Sequence, residues 1–335
     1  MDNKIVTEEI NELKTKIFST DENLFDNLAL KIFELQYRAN PVYRQYSNLL
    51  GKNPLNVKNT HEIPFLPIEF FKTNQVCTGK FEPEQVFSSS ATTGAVQSKH
   101  FVADLNIYKE SFINSFTLFI GNPPEYCFLA LLPGYLEREG SSLIYMVNEL
   151  MKISKHPENG FFLYDHQQLK DRISRLEKQK QKFVLFGVSF ALLDFASTFT
   201  GEIKHGIVME TGGMKGKRKE MSKPELQSVL KSAFKTNKIC SEYGMTELLS
   251  QAYSTNDNIF KSPPWMKILV RDTYDPYYYL KEGLTGGINV IDLANLYSCS
   301  FIETKDLGKL LKNGQFEILG RFDNSEIRGC NLMVE

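Results

Sequence analysis

Three short apolar runs constrain this chain most: YCFLALLP from Tyr126 to Pro133, KFVLFGVS from Lys182 to Ser189, and HGIVMETGG from His205 to Gly213. They are apolar almost throughout and too short for typical helices, so they read as buried strands. The last two end in Gly, Ser or Thr, as strands that feed active-site loops do. An amphipathic segment, Leu105 to Phe119, and a helical pattern, SSLIYMVNELMK from Ser141 to Lys152, share this stretch of chain. Strands alternating with helices predict an α/β fold.

Outside that stretch the pattern changes. Apolar residues recur at helical intervals from Val6 to Leu50, with Pro41 marking a break between helices, so residues 1–60 form a helical N-terminal region. Ile63 to Phe71 is a proline-containing extended stretch. The last third, GGINVIDLANLYSCSFIETKDLG and then GQFEILGR, resembles consecutive strands with glycine turns, which predicts an antiparallel subdomain over about 285–335. There is no internal repeat, low-complexity tract or linker, and 1–335 reads as a single domain.

Charge and cysteine usage exclude several function classes. The 39 Lys and Arg nearly balance the 40 Asp and Glu, so no net field draws the chain to nucleic acid or an anionic membrane. The N-terminus lacks the uninterrupted apolar core of a signal peptide or spanning helix. Cys77, Cys127, Cys240, Cys299 and Cys330 are odd in number and contain no C-x-x-C pair, which predicts free thiols in a reducing, cytoplasmic compartment. The five histidines lack zinc-site spacing, so a protein-built metal site is not expected.

Five segments have the residue types that chemistry needs. Ser88-Ser89-Ser90-Ala91-Thr92-Thr93-Gly94 sets hydroxyls beside a glycine, offering O–H and N–H donors to phosphate oxygens; a solvated Ser/Thr turn is the plain alternative. Ser241-Glu242-Tyr243-Gly244-Met245-Thr246-Glu247 places a carboxylate after a hydroxyl: Glu247 offers hard oxygen to Mg²⁺, Thr246 a phosphate donor and Tyr243 a stacking ring. Its alternative is a helix start with a capping carboxylate. Glu210-Thr211-Gly212-Gly213 ends a strand in two glycines that let backbone approach a flat ligand, with Lys215, Lys217, Arg218 and Lys219 following at once. This is not a Walker A loop, because neither the spacing nor a following Ser or Thr is present. Glu303-Thr304-Lys305-Asp306-Leu307-Gly308 and Gly320-Arg321-Phe322-Asp323 supply a carboxylate and a guanidinium able to bond a ribose diol, or an ordinary surface Arg–Asp pair.

The order of these segments resembles the adenylate-forming superfamily. Within it the chain is most similar to the acyl-protein synthetase component of the bacterial fatty-acid reductase of bioluminescence, through LPGYLEREGSSLIYMVNEL (Leu132 to Leu150) and the ending GRFDNSEIRGCNLMV. The resemblance covers roughly Ile63 to Val334. It implies the adenylate-forming large domain, mixed sheets flanked by helices, without the usual C-terminal lid domain and its lysine. It also implies ATP and Mg²⁺ as cofactors, with phosphate contacts from Ser89, Ser90, Thr92, Thr93 and Gly94 and nucleotide contacts from Gly212, Gly213, Tyr243 and Gly244. Thr246 and Glu247 would serve phosphate and Mg²⁺, Asp306 and Arg321 the ribose. Gln97 stands where the superfamily commonly has a lysine after the phosphate loop, with Lys99 nearby. Arg138, Lys215, Lys217 and Arg218 are candidates to replace the lid lysine.

In that family a cysteine near the C-terminus accepts the acyl group, and Cys330, beside Arg328, matches it. The expected activity is therefore ATP-dependent activation of a carboxylic acid, of the fatty-acid class, to its acyl-adenylate, then transfer to Cys330 and on to an acceptor protein such as a reductase or carrier. Two rival readings share the nucleotide motifs: an acyl- or aryl-CoA ligase of the phenylacetate–CoA ligase type, and a nucleotide-binding subunit without turnover.

Overall fold

The computed structural model describes residues 3–90, 96–138, 140–212, 221–255 and 258–321. The chain divides into two compact units, the first made of 1–111, 246–250 and 261–335, the second of 112–245 and 251–260.

The first unit begins with α1 (Asn3–Ile17), α2 (Glu22–Ala39) and α3 (Pro41–Leu49). Asp21 caps α2 by accepting from the Asn23 and Leu24 amides. Asn40 caps α3 ahead of Pro41, which holds the first helical position, where its missing N–H costs nothing. The expected break at Pro41 is thus a cap. Gln36, fully buried on α2, donates to the Asn295 carbonyl and accepts from the Ser300 amide, while the Tyr43 ring stacks on Phe301 with centroids 5.9 Å apart. These contacts fasten the helices to the 295–301 segment. Next come β1 (Leu66–Pro67), α4 (Phe70–Thr73), and the hairpin of β2 (Gln85–Ser88) and β3 (Lys99–Val102), paired antiparallel with Phe87 opposite His100. The helix α5 (Leu105–Phe119) leads the chain into the second unit.

That unit alternates β4 (Cys127–Leu131), α6 (Ser142–Ser154), β5 (Gly160–Phe161), α7 (His166–Gln179), β6 (Phe183–Val188), α8 (Ser189–Ala196), β7 (Gly206–Thr211), α9 (Lys223–Phe234) and β8 (Ile239–Tyr243), followed by β9 (Ala252–Ser254). The strand order is β9-β8-β7-β6-β4-β5, parallel except for β9. Every residue of β4 and β6 is buried, which is why both read in the sequence as unbroken apolar runs. Phe128, Phe186 and Phe116 pack together at this centre. The apolar residues 128–132 and most of 184–193 are buried core.

The chain returns through β10 (Ile259–Lys261) to β11 (Met266–Arg271), β12 (Thr285–Asp292), β13 (Phe301–Leu310) and β14 (Phe316–Arg321). These last four form an antiparallel meander, with β1 added parallel along β13. Gly287 is where a side chain would not fit: a Cβ there would stand 2.5 Å from the Arg271 guanidinium carbon. The buried Arg271 uses that space to donate to the Ile288 and Thr304 carbonyls and to Asn289. No helix among the described residues is long and apolar enough to cross a membrane.

Candidate functional site

The Tyr-Gly-x-Thr-Glu segment spans the boundary between the units. Tyr243 and Gly244 end β8 in the second, and Thr246 and Glu247 open a buried, irregular stretch in the first. No helix starts there, so Glu247 is not a capping carboxylate.

In the first unit, β2 and β3 form the stem of the Ser/Thr-Gly loop. The Ser89 amide donates to the Ser98 carbonyl at 3.1 Å, and the Ser98 amide donates back to Ser89 Oγ at 3.0 Å, closing the base of the loop. Ser89 is half-buried and Ser90 exposed, while Thr92, Thr93 and Gly94 lie outside the described residues. Beyond the loop, Lys72, Gln97 and Lys99 line a cavity of about 330 Å³ together with Thr73 and Asn74. Lys99 therefore stands at a solvent-open wall beside Gln97.

Glu247 is 4% exposed. Burial raises its carboxyl above the usual range, opposed by the polar influence of Ser98 and by the positive charges of Arg321 and Lys72. A shielded carboxylate with cations in its field suits a site that receives a metal-bound polyphosphate. The backbone around it is held by side chains. His100 Nδ1 bonds the Thr246 carbonyl at 2.8 Å, and Asn295 Nδ2 donates to the Glu247 carbonyl at 2.8 Å. Asp292 accepts from the Leu249 and Ser250 amides at 2.8 and 3.0 Å and from Ser250 Oγ at 2.6 Å. None of these three supports has a local sequence signal, since their partners lie tens of residues away.

Asp306 and Arg321 are directly opposite on β13 and β14, with Arg321 Nε 3.6 Å from Asp306 Oδ1. The aspartate is largely covered and the guanidinium mostly exposed, so water screens the pair from the arginine side. Glu303, three residues earlier, instead faces the buried Arg271 at 3.4 Å.

In the second unit, Gly212 closes β7 with φ of 72°, a left-handed conformation that favours glycine. Gly213, Lys215, Lys217 and Arg218 lie outside the described residues. Beneath Gly212 is a polar network the sequence did not announce. Lys223 Nζ donates to Glu210 Oε2 at 2.6 Å, and Ser189 donates to the other Glu210 oxygen while lying 3.0 Å from the Gly212 carbonyl. The Thr211 hydroxyl donates to Glu242, its direct partner across β7 and β8. Burial pushes the Glu242 carboxyl up to about 7, and the negative charge of Glu210 adds to this. The Tyr243 ring meets Phe260 edge-on with centroids 6.2 Å apart and is half-buried. Arg138 ends the 3-10 turn Tyr135–Glu137 that follows β4.

The four described cysteines are free thiols, three of them buried. Burial pushes Cys77 and Cys240 up to about 11 and Cys127 and Cys299 up to about 12, so none is a ready thiolate. Cys330 lies outside the described residues.

No protein-family model matches the chain, and no curated protein does. Solved structures do. ATP-bound MatB from Rhodopseudomonas palustris aligns with a TM-score of 0.55 at 16% identity, covering 72% of this chain and 49% of that one. An open conformation of 2-hydroxyisobutyryl-CoA ligase in complex with 2-HIB-AMP and CoA aligns at 0.63 and 12% identity, covering 92% and 78%. The same ligase in its postadenylation state with R3-HIB-AMP aligns at 0.65 and 12% identity, covering 92% and 70%. The chain thus spans about half the length of the MatB structure. At these identities the likeness shows the fold, a mixed α/β fold with large mixed sheets flanked by helices, shared with adenylate-forming ligases.

Proposed function

We propose that the chain is an ATP-dependent, AMP-forming ligase that converts a carboxylic acid, of the fatty-acid class, to its acyl-adenylate, with residues 1–335 acting as one adenylate-forming domain in the cytoplasm. The observation that carries this reading is the buried Glu247 carboxylate in a segment held, through the Thr246 carbonyl, by His100 on the strand that leaves the Ser/Thr-Gly loop, which ties a phosphate-donor loop to a carboxylate suited to a metal. The likeness to structures holding ATP or an acyl-adenylate supports it.

The residues fit Mg²⁺, which takes one or two carboxylates and completes its shell with phosphate oxygens; Glu247 is such a carboxylate, with the Thr246 hydroxyl beside it in the chain. When bound, the ion would neutralise charge on the triphosphate and polarise the α-phosphorus toward attack. Ser89, Ser90, Thr92, Thr93 and Gly94 donate to the phosphates, and these donors stabilise the charge that grows on the phosphoryl oxygens as pyrophosphate leaves. Tyr243, Gly212, Gly213 and Gly244 frame the base, and Asp306 and Arg321 take the ribose hydroxyls. Exclusion of water around the buried Glu247 strengthens its own contact with the metal-bound phosphates.

In the second half-reaction the Cys330 thiolate attacks the acyl carbon, AMP departs with the bonding pair, and the thioester passes the acyl group to a protein acceptor such as a reductase or carrier. The raised thiols of the described cysteines favour Cys330 for this step. The CoA-ligase structures favour a second reading, in which CoA replaces Cys330 as acceptor.

The test is acid-dependent exchange of labelled pyrophosphate into ATP, across short, long and aromatic acids, in wild type and Glu247→Ala. Exchange with one acid class, lost in the variant, is expected; absence of exchange with every acid overturns adenylation. Cys330→Ser then separates the acceptors, because it abolishes protein acylation under the first reading and leaves acyl-CoA formation unchanged under the second.

A further inference from the structure

Residues 246–250 contain the metal and phosphate candidates, belong to no helix or strand, and from Glu247 onward are buried. Buried backbone groups outside regular structure must find partners, and a misplaced partner moves the whole segment. His100 holds the first carbonyl of this stretch. It is the second residue of β3, the strand that leaves the Ser/Thr-Gly loop. The exit strand thus holds the motif by its main chain, His100 bonding the Thr246 carbonyl at 2.8 Å.

The chemistry of this second bond is fixed. A carbonyl oxygen has no proton, so Nδ1 carries the hydrogen and donates it. The ring is 1% exposed, with Phe71 edge-on at 6.0 Å, and burial pulls its basicity down to about 4. The ring therefore presents a fixed Nδ1–H donor to the Thr246 carbonyl.

We propose that His100 is a positioning residue for adenylation: its Nδ1–H bond to the Thr246 carbonyl fastens Thr246 and Glu247 to the exit strand of the Ser/Thr-Gly loop, so that loop and carboxylate engage one metal-bound triphosphate together. This rests on the functional reading above. His100 acts through Thr246 and touches neither metal nor nucleotide. Supports of this kind behind a metal ligand change affinity or rate by about 10- to 100-fold when lost.

The experiment compares wild type, His100→Asn and His100→Gln in pyrophosphate exchange titrated with Mg²⁺, with thermal melting of each. Asparagine presents an amide N–H close to where Nδ1 stands, while glutamine presents it near the Nε2 position and misses the Thr246 carbonyl. The expected result is that H100Q needs about tenfold more Mg²⁺ for half-maximal exchange at unchanged KM for the acid, and that H100N recovers to within about threefold of wild type. Equal loss in both variants that follows melting temperature, with an unchanged Mg²⁺ requirement, would reduce His100 to a core residue and overturn the inference. Wild-type behaviour in H100Q overturns it as well. No exchange in the wild type removes the functional reading first and the inference with it, an outcome distinct from the other two.

Discussion

Gly244 lies directly against the Glu242 carboxylate: a Cβ at 244 would stand 2.5 Å from Glu242 Oε1 and 3.3 Å from Gln251 Cγ. A flexible side-chain end would normally swing away, but Glu242 is 6% exposed and held by the Thr211 hydroxyl. Gly244→Ala must therefore displace a buried, bonded carboxyl or the turn itself. The expected cost is about 1–3 kcal/mol of stability by denaturant titration, accompanied by weaker ATP binding, since Tyr243 moves with the turn. Unchanged stability and binding would show that Glu242 has room to rearrange.

The same carboxyl makes stability depend on pH in a known direction. Burial raises Glu242 from 4.5 to about 7, so the folded protein holds this proton over a range where the unfolded chain has released it. Its contribution is therefore fully present below about pH 4.5 and is lost as pH rises through 7. Glu242→Gln removes the titration and keeps the shape. Wild-type stability relative to E242Q should fall by roughly 3 kcal/mol between those limits, at about 1.4 kcal/mol per unit. Parallel unfolding free energies from pH 4.5 to 7.5 would show that Glu242 titrates normally.

The legible parts of the fold were those where local pattern and burial agree. β4, β6 and β7 could be read directly because strands covered on both faces must be apolar along their length. Three regions obscured the pattern. The helix α7, HQQLKDRISRLEKQ, buries only Leu169, Ile173 and Leu176, too thin a stripe against so many charges. In β8 the apolar run breaks at Ser241 and Glu242, whose burial is tolerated because Glu242 meets Thr211 across the sheet, a partner the linear sequence does not reveal. His100 and Asp292 were invisible for the same reason: Asp292 serves amides 42 and 43 residues away. The candidate motifs that stand out in the sequence are those whose chemistry is contiguous, such as Thr246-Glu247 and Gly212-Gly213, and a resemblance in their order proposes roles for them that spacing alone leaves open.

Lys223 and Glu210 form an asymmetric pair. The carboxylate is 2% exposed and the ammonium 26%, so water can compensate the lysine but hardly the glutamate. Removing the cation alone should hurt more than removing both charges. Lys223→Met is expected to lose about 3 kcal/mol in urea titration, and the double variant Glu210→Gln, Lys223→Met to recover most of it. Equal losses in single and double variants would mean that another cation compensates Glu210.

The chain's single tryptophan offers a direct report on the site's backbone support. Trp265 Nε1 lies 3.1 Å from Ser250 Oγ, which donates to Asp292 Oδ1 at 2.6 Å, and Asp292 also receives the Leu249, Ser250 and Ala294 amides. Asp292→Ala leaves three buried N–H groups without an acceptor, each costing on the order of 1–3 kcal/mol. The expected loss is about 3–5 kcal/mol, read from tryptophan emission during urea unfolding, together with a shift in native emission as Ser250 turns away. Asp292→Asn keeps one acceptor oxygen but turns an N–H toward these donors, so it should recover only part of the stability. Full recovery in the asparagine variant would show that neither the negative charge nor the second acceptor oxygen is needed for holding Leu249 and Ser250.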